Sequence, residues 1–343
     1  MHPIRIAIDV MGGDFAPLNE IQGAILASEK FKQLGLNVEF VFIGKETEIK
    51  KAMETLSFPH LTYSIVNADE IVSMHDDPTA VIKTKRNSSL FMGIDMHARG
   101  NVDAFVSAGN TGAVMSTATV VLGRIKGVSR PTIGTFLPTQ HGRPVLLLDV
   151  GATIECKPRF LYEYAVMGDV YSRIVLGIEN PKIGLLNIGE EATKGTESIL
   201  QTHALLSESS LNFIGNVEGR DILAGTSDVV ICDGFVGNIV LKFAESMLGL
   251  LKAKIKGYAA MGIINKLMVM LMLIPLKKIL KDFDYQEYGG VPLLGVNGVI
   301  IIGHGKSSPL AVQNMLTRAV EVIRGNVNAS IKQALMEKKD QTL

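Results

Sequence analysis

Six short segments carry residue types that handle anions and carbonyl groups, and each follows a run of apolar residues. They are 9–14, 107–112, 149–151, 187–195, 233–238 and 303–307. The second reads Ser107-Ala108-Gly109-Asn110-Thr111-Gly112. Its glycines allow close backbone approach, its hydroxyls donate hydrogen bonds, and the free amides of a helix start favour an anion. Ser107, Gly109, Asn110, Thr111 and Gly112 are therefore candidate phosphate ligands, against the alternative of a tight turn capped by its own Asn or Thr. Asp233-Gly234-Phe235-Val236-Gly237-Asn238 has the same form, and Asp233 and Asn238 could orient a nucleophile or hold an amide. In 187–195, Lys194 offers a point charge for phosphate, whereas Glu190 and Glu191 read better as a solvated cap. Asp14 ends the first segment and is a further candidate base or orienting group.

Other chemistry is weaker. Asp76 and Asp77, before Pro78, could bind a metal, yet no partner ligand stands at suitable spacing and capping of a helix start fits better; no metal is expected. The stretch 298–307 resembles a P-loop, but Ile300 stands where its first glycine must be. No GxGxxG follows a strand, which removes the usual dinucleotide fingerprint but leaves other cofactor folds open. Cys156 and Cys232 lie far apart with no histidine nearby in sequence, and read as small buried hydrophobes rather than acyl-accepting nucleophiles.

The elements that must position these residues follow from periodicity. Apolar runs at 6–10, 38–43, 63–66, 104–107, 145–150, 183–187, 212–214, 229–232 and 299–302 read as strands. Helical period marks 20–34, 80–99, 111–122, 159–176, 195–207, 236–251 and 308–338. Their alternation predicts an α/β fold: a largely parallel, doubly wound sheet flanked by helices, with the strand ends opening on one shared cleft. No tether interrupts the chain, so 1–343 reads as a single unit, and any division into two coupled subdomains must fall within the sheet.

A content of 47% hydrophobic residues supports a large core, and equal numbers of basic and acidic residues, 34 each, leave no basic footprint for nucleic acid. No export signal is visible, and the uncharged apolar run 267–276 is short of the ~20 residues of a bilayer span, so no membrane crossing is expected. The segment 248–281 is different: it holds seven lysines and no acid beside a methionine-rich apolar face. Pro275 should bend it into a helical hairpin. Lys252, Lys254, Lys256, Lys266, Lys277 and Lys278 with Leu267, Met268 and Leu271 suit an anionic membrane surface, an acidic partner or a subunit interface. Arg124 and Lys126 add a second basic site.

These motifs closely resemble the bacterial phosphate acyltransferase family called PlsX. The likeness runs through 9–14, 107–113, 123–127, 146–151, 186–195, 213–221, 233–238 and 284–290, and so covers nearly the whole chain in one order. One departure is Ala152-Thr153-Ile154-Glu155, where the family usually reads Ala-Asn-Val-Asp. The resemblance implies transfer of a long acyl chain from acyl carrier protein to inorganic phosphate, giving acyl phosphate for phospholipid synthesis without nicotinamide or metal, so that it implies no cofactor. It also implies a fold like phosphotransacetylase and the isocitrate and isopropylmalate dehydrogenases, a homodimer, and a membrane-bound glycerol-3-phosphate acyltransferase as consumer of the product. A cytoplasmic protein held at the inner face of the plasma membrane would fit that role. The alternatives are a short-chain transferase using acyl-coenzyme A and a non-enzymatic membrane scaffold.

Overall fold

The computed structural model describes residues 2–280 and 289–339, apart from the side chains of residues 273, 274, 276–280, 338 and 339. Strands β1 (Ile4–Asp9), β2 (Val38–Gly44), β3 (Tyr63–Asn67), β4 (Ala104–Ser107), β5 (Thr132–Leu137) and β6 (Val145–Leu148) are followed by β7 (Ile183–Leu186), β8 (Phe213–Val217), β9 (Val229–Ile231), β10 (Val291–Leu294) and β11 (Ile300–Ile302). They form one 11-stranded sheet in the order β3-β2-β1-β4-β11-β10-β5-β6-β9-β7-β8.

The sheet consists of two parallel blocks, β3-β2-β1-β4-β11 and β6-β9-β7-β8. Between them β10 and β5 are antiparallel to each other and to both flanking strands, so the blocks run in opposite directions. Ile302 pairs with Val291, Leu293 with Ile133, and Gly134 with Leu148. The last residues of β11 and β6 therefore stand at nearly the same level, and the carboxyl ends of both blocks face one another across the sheet.

Period-2 alternation sends Ile6 and Ile8 to one face, where they pack with Phe31 and Leu316, and Ala7 to the other, with Leu90 and Val114. Helices cover both faces. In the second block Leu146, Leu148 and Ile231 pack on Tyr164 and Met167 of the helix Pro158–Val175. Two expected helices are divided. The 80–99 stretch breaks between Val81–Thr84 and Ser89–Ala98 because the Ser88 hydroxyl caps the second, accepting from Phe91 N at 3.3 Å. The 308–338 stretch breaks after Pro309–Arg324, where Asn326 takes φ 51°, a conformation its side chain tolerates.

The hairpin is present but its bend is not at Pro275. A 27-residue helix, Gly234–Ala260, about 40 Å long, ends at Met261 and Gly262, and the return helix Ile263–Leu280 runs through Pro275. Gly262 stops the helix more effectively because it supplies no side chain to pack and Ala260-Met261 are already at its frayed end. Gly234–Ala260 has the length and hydropathy of a membrane span by composition alone, a helix the expectation drawn from 267–276 did not weigh, and its first turn packs against the strand end at Asp149. Beyond that turn the hairpin is clothed in exposed apolar side chains, among them Phe243, Met247, Leu250, Ile263, Leu267 and Leu271.

Candidate active site

The facing strand ends enclose a cavity of about 600 Å³. One side carries Thr111 and Gly112 after β4, Asp14 after β1, and the loop 303–307 after β11; the other carries Gly151 after β6 and Asn238 after β9. Met115, Ile133, Phe136, Leu241 and Val291 make much of the wall apolar.

Asp9 organises the first side from below. Fully buried at the end of β1, it accepts hydrogen bonds from Ser89 Oγ at 2.6 Å, Ser107 Oγ at 2.8 Å and Met11 N at 3.2 Å. Burial pushes its carboxyl above the usual range, and the two hydroxyls and the amide pull it back. Ser107 Oγ in turn accepts from Gly109 N at 3.0 Å. Gly12 must be glycine here, since a Cβ would lie 2.6 Å from Asp9 Oδ2 and 2.9 Å from Gly109 N.

Part of the expected phosphate cradle is already engaged. The Ser107 hydroxyl donates to Asp9 and the Gly109 amide to Ser107, which shapes the turn, and Gly109 lines the cavity. Asn110 is likewise occupied: its Oδ1 accepts from Ala113 N at 3.1 Å, and its Nδ2 donates to the carbonyls of Ser73, Met74 and Asp76. The capping alternative for Asn110 is the one the structure shows. Asp76 steadies that neighbouring turn by accepting from Ser73 N at 2.6 Å and pairing with Lys85 at 2.6 Å. Lys85, first among its partners, holds the Asp76 carboxyl below its ordinary value. Among the described residues the amides of Thr111 and Gly112 keep no acceptor, and with the Thr111 hydroxyl they face the cavity as the donors left for an anion.

Asp149 plays the matching part opposite. Buried after β6, it accepts from the amides of Gly151 at 3.1 Å, Ala152 at 2.9 Å and Thr153 at 2.8 Å, while burial raises its carboxyl to about 6. The turn so formed receives the start of Gly234–Ala260: Gly234 N donates to Thr153 O at 2.8 Å, and Gly237 lies directly against the Asp149 carbonyl. Asp233 is spent as the cap of that helix, accepting from Val236 N at 2.8 Å. Asn238, one turn in, reaches the cavity beside Gly151 and makes no hydrogen bond among the described residues. Burial lifts the Cys156 thiol to about 12 and pushes the Cys232 thiol well up too, so neither ionises near neutral pH.

Lys194 is not brought to this cavity. It is exposed on the loop after β7, where Asn187 Nδ2 donates to its carbonyl at 2.9 Å, and no residue of that loop lines the cavity. Arg124 and Lys126 are exposed beyond the helix Thr111–Val121, at the end away from the cavity. Lys252, Lys254, Lys256, Lys266, Leu267, Met268 and Leu271 all lie exposed on the hairpin. Lys277 and Lys278 belong to the return helix, but their side chains lie outside the described residues, as do residues 284–288 of the 284–290 motif.

Sequence reasoning passed over Asp9 and Asp149 as site organisers, although each ends a strand just before a glycine turn. It placed the 303–307 loop in the shared cleft but assigned it no residue role, and did not find Leu241 or Lys242. Their signal was available in the helical period, three and four residues after Asn238.

Comparison with known proteins identifies the family and the fold. Residues 4–330 match the family described as fatty acid synthesis protein. The phosphate acyltransferase of Dictyoglomus turgidum is 41% identical over 98% of this chain and 99% of its own, and that of Nostoc sp. is 44% identical over 94% of each. Among solved structures, a phosphotransacetylase from Streptococcus pyogenes superposes with a TM-score of 0.59 at 16% identity, covering 93% of this chain and 94% of its own. At that identity the likeness concerns the fold.

Proposed function

The chain belongs to the phosphate acyltransferase family, enzymes that transfer an acyl group to phosphate, and from that premise we propose that it takes a long acyl chain from the thioester of acyl carrier protein. The observation that carries this reading is the joining of unpaired helix-start amides to an apolar wall in one cavity. Phosphate binds at Thr111 and Gly112, and the chain lies along Met115, Ile133, Leu241 and Val291. A phosphate oxygen then adds to the thioester carbonyl, forming the C–O bond and a tetrahedral oxyanion, which collapses as the C–S bond breaks; the proton of the phosphate dianion leaves with the thiol. When phosphate arrives as the monoanion, Asp14 accepts its additional proton. Near neutral pH the dianion needs alignment and desolvation more than a strong base.

Asn238 donates its amide to the oxyanion. Asn238→Ala is expected to lower kcat about 100-fold or more with folding intact, measured by steady-state turnover and circular dichroism. Arg124, Lys126, Lys252, Lys254 and Lys256 meet the acidic carrier protein in a salt-sensitive encounter. The exposed apolar faces of the hairpin support a seat on an anionic bilayer and a homodimer, so the protein works at the inner face of the plasma membrane. There the acyl phosphate passes to a membrane-bound glycerol-3-phosphate acyltransferase for phospholipid synthesis. Leu267→Glu with Leu271→Glu is expected to abolish flotation with vesicles containing anionic lipid, because each side chain would bring a charge to the face that enters the interface.

The deciding experiment is mass spectrometry of the protein mixed with palmitoyl carrier protein, with and without phosphate. Acyl phosphate formed only with phosphate, on unmodified protein, supports direct attack. An acylated protein returns attention to Cys156 and Cys232, preference for acetyl-coenzyme A favours the short-chain transferase, and absence of any product overturns the reading.

A further inference from the structure

The phosphate subsite needs a positive charge that the helix start does not fully supply. Unpaired amides at a helix N-terminus amount to about half an elementary charge. The cavity wall also carries two carboxylates, Asp14 and Glu245, whose field opposes a dianion. Lys194, the lysine expected there, sits on the exposed loop after β7 and does not line the cavity.

Among the described residues lining the cavity, Lys242 is the one side chain with a permanent positive charge. Helical period places it: Asn238, Leu241, Lys242 and Glu245 stand at i, i+3, i+4 and i+7 of Gly234–Ala260 and all face the cavity. The start of that helix is fixed by the Gly234–Thr153 hydrogen bond and the Gly237 contact with Asp149, so the face cannot rotate away. Lys242 makes no ion pair or hydrogen bond among the described residues, even with Glu245 one turn further on. A lysine there is a mobile point charge with three donors, able to follow a phosphoryl group without imposing a fixed fork geometry.

We propose that Lys242 is the phosphate-binding cation of this cavity, contacting inorganic phosphate in the substrate complex and the phosphoryl group of the acyl phosphate after transfer. The proposal rests on the acyl-phosphate reading above and adds to it the residue that offsets the substrate's charge. Because the contact is made to phosphate before and after the bond to carbon forms, it acts mainly on binding and less on the chemical step.

The test compares wild type, Lys242→Gln and Lys242→Arg in full-length protein. Lys242→Gln is expected to raise KM for phosphate about ten- to a hundredfold, the range for losing a hydrogen bond to a charged group. KM for the acyl donor should stay within about twofold, and Lys242→Arg should recover most of the phosphate affinity. Titration of inorganic phosphate followed by 31P NMR, with no acyl donor present, should show the same loss and recovery. A Gln variant with unchanged phosphate KM and unchanged titration overturns the proposal, as does an Arg variant no better than Gln. Should the wild type form no acyl phosphate, the functional reading fails, and the 31P titration still decides the role of Lys242.

Discussion

Gly237→Ala is expected to lower the unfolding free energy by about 3 to 5 kcal/mol and to abolish turnover, the largest effect foreseen for a single methyl group in this protein. A Cβ at Gly237 would stand 1.8 Å from the Asp149 carbonyl oxygen and 2.8 Å from Cys232 Sγ. The oxygen belongs to backbone that cannot yield: Asp149 N donates to Cys232 O at 3.1 Å, and its carboxylate gathers the next turn's amides. The helix must therefore retreat, carrying Asn238, Leu241 and Lys242 from the cavity. Gly249→Ala is the control on the same helix, because nothing lies within 4 Å of its Cβ, and it should gain about 0.5 to 1 kcal/mol from helix propensity. Urea unfolding and turnover of both variants check the pair; a Gly237→Ala protein with the wild-type midpoint would remove the close-packing argument.

The same contact shows why the site was only partly legible in the sequence. The nine strands read from apolar runs all exist, because most are short Val/Ile/Leu-rich or aromatic runs of the two parallel blocks. Both strands that were missed are the antiparallel pair joining the blocks. β5 lies between Pro131 and Pro138 with Gly134 at its centre, and β10 contains Pro292, so local propensity argues against each. Their pairing is a tertiary fact, and with it went the knowledge that the two sets of strand ends face one another. The cradle turn was legible as a place but not as an inventory of donors. Which hydroxyls and amides remain for a ligand depended on Asp9, 98 residues from Ser107 in sequence, claiming the Ser107 hydroxyl first. Lys194 illustrates the reverse error: correct in type and near a strand end, it follows β7, two strands away from β6, and so misses the cavity lining.

Glu20→Gln is expected to stabilise the protein by about 3 kcal/mol at pH 8 and to change little at pH 4.5. Glu20 sits in the first turn of the helix Leu18–Gln33, 2% exposed, with Oε2 lacking any partner among the described residues. Burial, with a smaller contribution from the neighbouring Asp9 charge, raises its carboxyl from the ordinary 4.5 to about 7. Because the folded value lies above the unfolded one, the folded chain binds more protons between those limits, and stability falls as pH rises from about 4.5 to about 7. Above that window the full penalty is carried, about 3 kcal/mol for values of 4.5 and 7. Glutamine has nearly the same shape and no charge to desolvate, so the gain should appear as glutamate ionises and vanish once it is protonated. Urea unfolding at pH 4.5 and 8 measures it, and a pH-independent difference would refute the titration argument. The position matters to the site because Glu20 packs against Gly13, whose loop is clasped to the 303–307 loop by Asp14 N on Gly305 O at 2.7 Å and Asn19 Nδ2 on Ser307 O at 2.9 Å. Below about pH 7 this acid is largely neutral, and the chain then closes one wall of the cavity without adding a charge beside Asp14 on the side where phosphate must bind.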